Sequence, residues 1–182
     1  MRLMALSCEV LARLVYHVAA RGPHVIDVDL VDKGLHNEPD VLRAELQRRL
    51  DALPAGRYDA VLLGYGLCSM AVVGLRANGC TLVVPRVDDC IAIFLGSSCA
   101  YKEQASAEPG TYYVTKGWLK VGDTPFDEYE SLAARYGPAK AEWVIREMIK
   151  HYTRLALIAT GGAVDEIAPG QGDPGQGNVE DY

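Results

Sequence analysis

Asp59-Ala60-Val61-Leu62-Leu63-Gly64 is a short apolar run opened by an acid and closed by a glycine. Its four consecutive apolar residues do not alternate with polar ones, so the strand they form is covered on both faces, as in a parallel sheet. The exit from that strand, Gly64-Tyr65-Gly66-Leu67-Cys68, carries two glycines and ends on a cysteine. Reading outward in both directions shows the same arrangement again: an apolar strand, then a chemically distinctive residue just past its end.

Toward the N-terminus, residues 2–7 form a first short apolar strand, with Cys8 directly after it. Val10, Leu11, Leu14, Val15 and Val18 then recur at helical spacing, and Gly22-Pro23 ends that helix. Residues 24–30 read as a second strand. The loop at 34–39 leads into a helix with Val41, Leu42, Leu46 and Leu50 as its buried stripe and Asn37 as its expected cap. Toward the C-terminus, a helix is expected from about residue 69 to 78, a strand at 81–85 and a short helix at 91–95. A strand at 111–115, helices at 126–135 and 140–152, and a last strand at 155–159 complete the pattern. Strands alternating with helices define an α/β class, a doubly wound and mostly parallel sheet with helices on both faces. Residues 1–162 read as a single domain. Residues 163–182 turn rich in Gly, Pro and acid, and read as a disordered or peripheral tail that adds nothing to the core from about Pro169 onward.

The composition narrows the classes. Of 182 residues, 49% are hydrophobic and 23% charged, which suits a globular chain with a real core. The formal charge of -6, with scattered Lys and Arg, argues against nucleic acid as a partner. No apolar run reaches the about 18 residues that a membrane span needs. Glu9 and Arg13 interrupt the one N-terminal stretch that resembles a secretion signal, so a cytoplasmic location is expected.

Five cysteines, at 8, 68, 80, 90 and 99, form no Cys-x-x-Cys pair. An odd count in a chain read as cytoplasmic argues against a disulfide framework. Cys8, Cys68 and Cys90 each follow the carboxyl end of a strand, the edge at which open α/β sheets bind ligands. Cys8 and Cys90 are expected at helix N-termini, where thiolate is favoured, yet Glu9, Asp88 and Asp89 stand beside them in the sequence. A bound cation offsets that accumulation of negative charge. Soft thiolate donors suit zinc or an iron–sulfur cluster and not magnesium or calcium. Three ligands leave one position open, as a catalytic centre requires. The competing reading is that these are ordinary small core residues. It fits Cys80, which begins a core strand, and Cys99 stands between the two readings as a fourth ligand or a nearby thiol.

Other residues join the set. Gly64 and Gly66 let backbone come close to the expected centre. His36 is a candidate proton donor or ligand, against the plainer reading of a polar loop residue. Arg86, Asp88 and Asp89 share the Cys90 loop and can bind a substrate carboxylate or move protons, or serve only as support for the ligands. One face of the aromatic run at 110–118 is expected in the core; Lys116 and Trp118 at its end are candidates to border the pocket, Lys116 as a cofactor contact. Thr160-Gly161-Gly162 is a candidate anion loop, against the stronger reading of a plain one.

GYGLCS at 64–69, PRVDDCIAIFLGS at 85–97, PGTYYVTKGW at 109–118 and GLHNEP at 34–39 together resemble an uncharacterised prokaryotic family, DUF1638-like, over most of residues 1–160. The resemblance implies no activity of its own. It implies an association with corrinoid-dependent methyltransfer systems, hence one-carbon or metallocofactor chemistry. Many members carry histidine near the position of Asp88, which puts a histidine ligand there in doubt, and the chain looks shorter than many members at its C-terminus. The expectation is an enzyme with a [4Fe-4S] cluster on Cys8, Cys68 and Cys90, whose open iron binds a small-molecule substrate as a Lewis acid. The alternatives are a zinc-thiolate (Zn2+) methyltransfer protein working with a corrinoid partner, and a non-enzymatic carrier of metal or cofactor. A homo-oligomer is compatible with all three.

Overall fold

The computed structural model describes residues 1–67, 70–77, 79–121, 124–160 and 178–181. The apolar run at the centre of the sequence is β3 (Ala60–Gly64), flanked by β1 (Arg2–Cys8) and β4 (Thr81–Val83), with β2 (Val25–Val31) outside β1. All three pairings in this four-stranded sheet, β2-β1-β3-β4, are parallel. The α/β class and the parallel sheet therefore hold. The register Leu3↔Ala60 to Ser7↔Gly64 brings the ends of β1 and β3 out at the same edge.

Side chains alternate across a strand, so β1 feeds two faces. Met4, Leu6 and Cys8 join a core with Val61 and Leu63 and with Leu42, Leu46 and Leu50 of α2 (Pro39–Asp51). Leu46 is fully enclosed, and burying such a side chain contributes roughly 1.5–3 kcal/mol. Leu3 and Ala5 are buried from the other face, and α1 (Ala12–Arg21), entered through a 3-10 turn at Glu9–Leu11, runs beside β1 and β2. A second 3-10 turn, Lys33–Asn37, leads from β2 to α2; Asp32 caps it by accepting from the Gly34 N–H at 2.6 Å. Glu38, and not Asn37, stands at the N-terminus of α2, and Pro39 rather than a side-chain cap starts the helix.

The strands do not all join one sheet. β5 (Thr111–Thr115) and β6 (Arg154–Ala159) pair in parallel as a second sheet, and Asn178–Asp181 of the tail adds antiparallel to β6 as β7. β4 is an edge of the first sheet only three residues long, and Pro85, which lacks an N–H to continue a ladder, follows it closely. In chain order α3 (Cys90–Phe94) and α4 (Ser98–Ala107) connect β4 to β5; α5 (Lys116–Val121), α6 (Pro125–Tyr136) and α7 (Pro138–Ile149) connect β5 to β6. A second core ties the two sheets together: Val10 and Leu11 from the exit of β1, Ile91, Phe94 and Leu95 from the α3 segment, and Ile158 from β6. Of the helix expected at about 69–78, the described residues 70–77 form none. Met70 (φ 69°) and Gly74 (φ 87°) are both left-handed, which an α-helix does not admit, and residues 70–74 are turns.

Candidate functional site

A cavity of about 540 Å³ opens where the carboxyl edge of the first sheet meets the second sheet. From the first sheet it receives Cys8 at the end of β1, Lys33, His36 and Asn37 from the turn after β2, and Asp89 and Cys90 at the start of α3. The other wall carries Tyr101 and Glu108 from the α4 segment, Tyr112 and Tyr113 from β5, Trp118 from α5, Glu128 from α6 and Tyr152 just ahead of β6. A smaller cavity of about 270 Å³ adjoins it through Tyr112 and Tyr152 and has neither cysteine nor histidine in its lining.

Local chemistry explains how the near wall is held. Ser7 is fully buried between β1 and β3, and a side chain on Gly64 would meet its Oγ at 2.0 Å, so the glycine lets the two strands close. Gly66 does the same for two loops. A Cβ there would lie 2.8–2.9 Å from the backbone of Asp89, and Leu67 donates its N–H to the Val87 carbonyl at 2.9 Å. The exits of β3 and β4 are thus laid side by side. Asp89 then caps α3: its Oδ1 accepts from the Ile91 N–H at 2.8 Å and the Ala92 N–H at 3.4 Å, which makes Cys90 the first residue of the helix. The Tyr101 hydroxyl also bonds to Asp89; burial, with the carboxylate beside it, pushes that phenol well above its ordinary range. On the far side of Cys8, Glu9 accepts from the Lys33 N–H at 2.9 Å and ties the exit of β1 to that of β2.

The electrostatics of Cys8 differ from the expectation of a stabilised thiolate. Burial pushes its thiol up, and the backbone N–H of Val10 opposes this only in part. The 3-10 turn after Cys8 runs directly into α1, but burial outweighs its N–H groups, and the charges of Glu9 and Asp32 raise the thiol while that of Lys33 lowers it. On the aromatic wall, Tyr112 and Tyr152 meet edge to face with centroids 4.9 Å apart, and Tyr101 and Tyr113 at 6.1 Å. The Tyr113 hydroxyl and the Trp118 Nε1 are buried without a hydrogen-bond partner.

Of the residues singled out from sequence, the cavity gathers Cys8, Cys90, Asp89, His36 and Trp118. Cys68 lies outside the described residues, as do Gly161 and Gly162. Arg86 is exposed in the loop before Asp89, and Lys116 opens α5; neither contributes to the lining. Cys80 packs against the first core, away from the cavity, and Cys99 is exposed. Tyr101, Tyr152, Lys33, Glu108 and Glu128 line the site without having been expected there. Among the described residues no three His, Cys, Asp or Glu side chains already form a metal-binding group, and no helix is long and apolar enough to cross a membrane.

Fold and site together define an α/β protein with a cysteine-bearing cavity at the carboxyl edge of a parallel sheet. The chain belongs to the family described as Protein of unknown function (DUF1638), whose model matches residues 30–168. That span includes Cys68 and Cys90 and the whole aromatic wall, while Cys8 precedes it. No curated protein and no solved structure matches the chain.

Proposed function

We propose that Cys8, Cys68 and Cys90 hold a [4Fe-4S] cluster against the near wall of the 540 Å³ cavity, and that the chain is a metal-dependent enzyme acting on a small molecule bound beside it. The observation that carries the reading is the meeting of Cys8 and Cys90. They are distant in sequence, they follow the exits of two different strands, and they line one cavity. Cys68 completes the ligand set in this reading. It comes directly after Leu67, whose N–H is bonded to Val87, so the segments leading to Cys68 and to Cys90 run together.

The donor chemistry fits such a group. Thiolates select iron or zinc over hard cations. Burial pushes the Cys8 thiol up, and a cation in contact with it would supply the charge that deprotonation needs. When bound, a cluster with three protein ligands supplies a Lewis-acidic iron with an open position. The chain's own residues do the rest. Asp89 fixes Cys90 through the α3 cap, the Gly66 contact holds the loops together, and exposed His36 at the rim can pass a proton between a bound ligand and solvent. The volume lies within the range of small-molecule sites, roughly 300–1,000 Å³.

Anaerobically purified protein tests this. The expected result is a brown protein with broad absorbance near roughly 400 nm and about four iron atoms per chain. A colourless protein with one zinc would replace the cluster by a zinc-thiolate centre, and one with no metal under any condition of reconstitution would end both.

A further inference from the structure

The far wall of the cavity says what kind of molecule it receives. Tyr112 and Tyr152 stand nearly perpendicular, at 83°, with centroids 4.9 Å apart, and Tyr113 and Trp118 continue the same wall. The two rings are in edge-to-face contact, so with Tyr113 and Trp118 they make one continuous aromatic wall, and the π faces of aromatic side chains attract a cation. The charges agree. Glu108 and Glu128 border the aromatic wall, and the ion pairs among the described residues involve neither of them. Tyr112 is raised by burial and then by nearby groups that include Glu128, so the negative field of that carboxylate reaches the ring.

We infer that the cavity binds a small organic ammonium ion, with its alkyl groups against Tyr112, Tyr152 and Trp118 and its charge balanced by Glu128 and Glu108. Alkylated nitrogen suits this wall better than a bare ammonium: its charge is spread over carbons that lose little hydration against aromatic side chains. The inference rests on the reading of the cavity as a substrate site, but not on which metal the cysteines hold.

The test is calorimetric titration of the full chain, purified anaerobically, with three probes: tetramethylammonium, ammonium, and choline's uncharged carbon isostere 3,3-dimethylbutan-1-ol. Iron and zinc are measured on the same samples. Tetramethylammonium is expected to bind saturably, with the other two at least about fivefold weaker, and Glu128→Gln and Tyr152→Leu each weakening it about fivefold. Tyr152 is 46% exposed, so its replacement leaves the core intact. Equal binding of the uncharged isostere, unchanged affinity in both variants, or no saturable binding of tetramethylammonium would overturn the inference. Metal without cation binding would sink this proposal alone. Cation binding without metal would sink the metal centre alone.

Discussion

Replacing Gly66 with alanine should damage the protein out of proportion to one methyl group. The new Cβ would lie 2.8 Å from the Asp89 Cα and 2.9 Å from its carbonyl carbon and its nitrogen. These are backbone atoms, so no side-chain rotation relieves the contact, and the 65–67 loop must move off the 87–89 loop. Forcing extra volume into a packed site costs about 1–3 kcal/mol. The displaced Leu67 N–H to Val87 bond adds about 1 kcal/mol. The expected total is about 2–4 kcal/mol, a large share of a stability that is commonly about 5–15 kcal/mol. Urea denaturation followed by circular dichroism measures it; with an m-value of about 2 kcal/mol per molar, the midpoint should fall by about 1–2 M. Gly56→Ala is the control. Gly56 has φ 71° and nothing within 4 Å, so only the left-handed backbone penalty applies, about 1–2 kcal/mol. Gly66→Ala within about 0.5 kcal/mol of the unmodified chain, or milder than Gly56→Ala, would refute the reasoning that this glycine exists to bring the two loops together.

Two further outcomes follow from the same geometry. Asp89→Ala should cost about 0.5–2 kcal/mol in chemical denaturation through loss of the α3 cap, whereas Asp89→Asn, an equally good cap, should stay within about 0.5 kcal/mol. Glu45, held at about 2 by hydrogen bonds from Arg48 and Arg49, has a folded value below its ordinary one of 4.5; it therefore stabilises the fold above about pH 4.5, and that contribution disappears as pH falls toward 2. Melting temperatures from pH 6 to pH 2 should fall less steeply in Glu45→Gln, and identical slopes would contradict the assignment.

The parts of the fold legible in the sequence were those whose signal is local. The unbroken apolar run at β3 and the apolar strands before it implied a parallel sheet, and the stripe of Leu42, Leu46 and Leu50 marked the buried face of α2. Helix α4 escaped because its apolar residues follow no helical stripe, although Ser97, whose Oγ accepts from the Ala100 N–H at 3.2 Å, was a readable cap. The split into two sheets depends on which strand pairs with β5 and on where β4 stops, and periodicity encodes neither. The site divides in the same way. Cys8, Asp89 and Cys90 follow strand exits, so topology alone predicted that they approach one edge. Tyr101, Glu128 and Tyr152 arrive from α4, α6 and the approach to β6, and reach the cavity only because the second sheet closes over the first. At Cys8 the expected helix start is present, as a 3-10 turn leading into α1, but burial outweighs it and the thiol is pushed up.

The central claim is that Cys8, Cys68 and Cys90 act together on one metal centre, and iron and sulfide content of the Cys68→Ser variant tests it most directly. Cys68 is the proposed ligand that the described residues do not place. Purified anaerobically beside the unmodified chain and Cys80→Ser, the Cys68→Ser protein should lose most of its iron and its absorbance near roughly 400 nm. Cys80→Ser should retain both, because Cys80 packs against the first core away from the cavity. Full iron and sulfide in a folded Cys68→Ser protein would contradict the account and return the cysteines to the role of ordinary core residues.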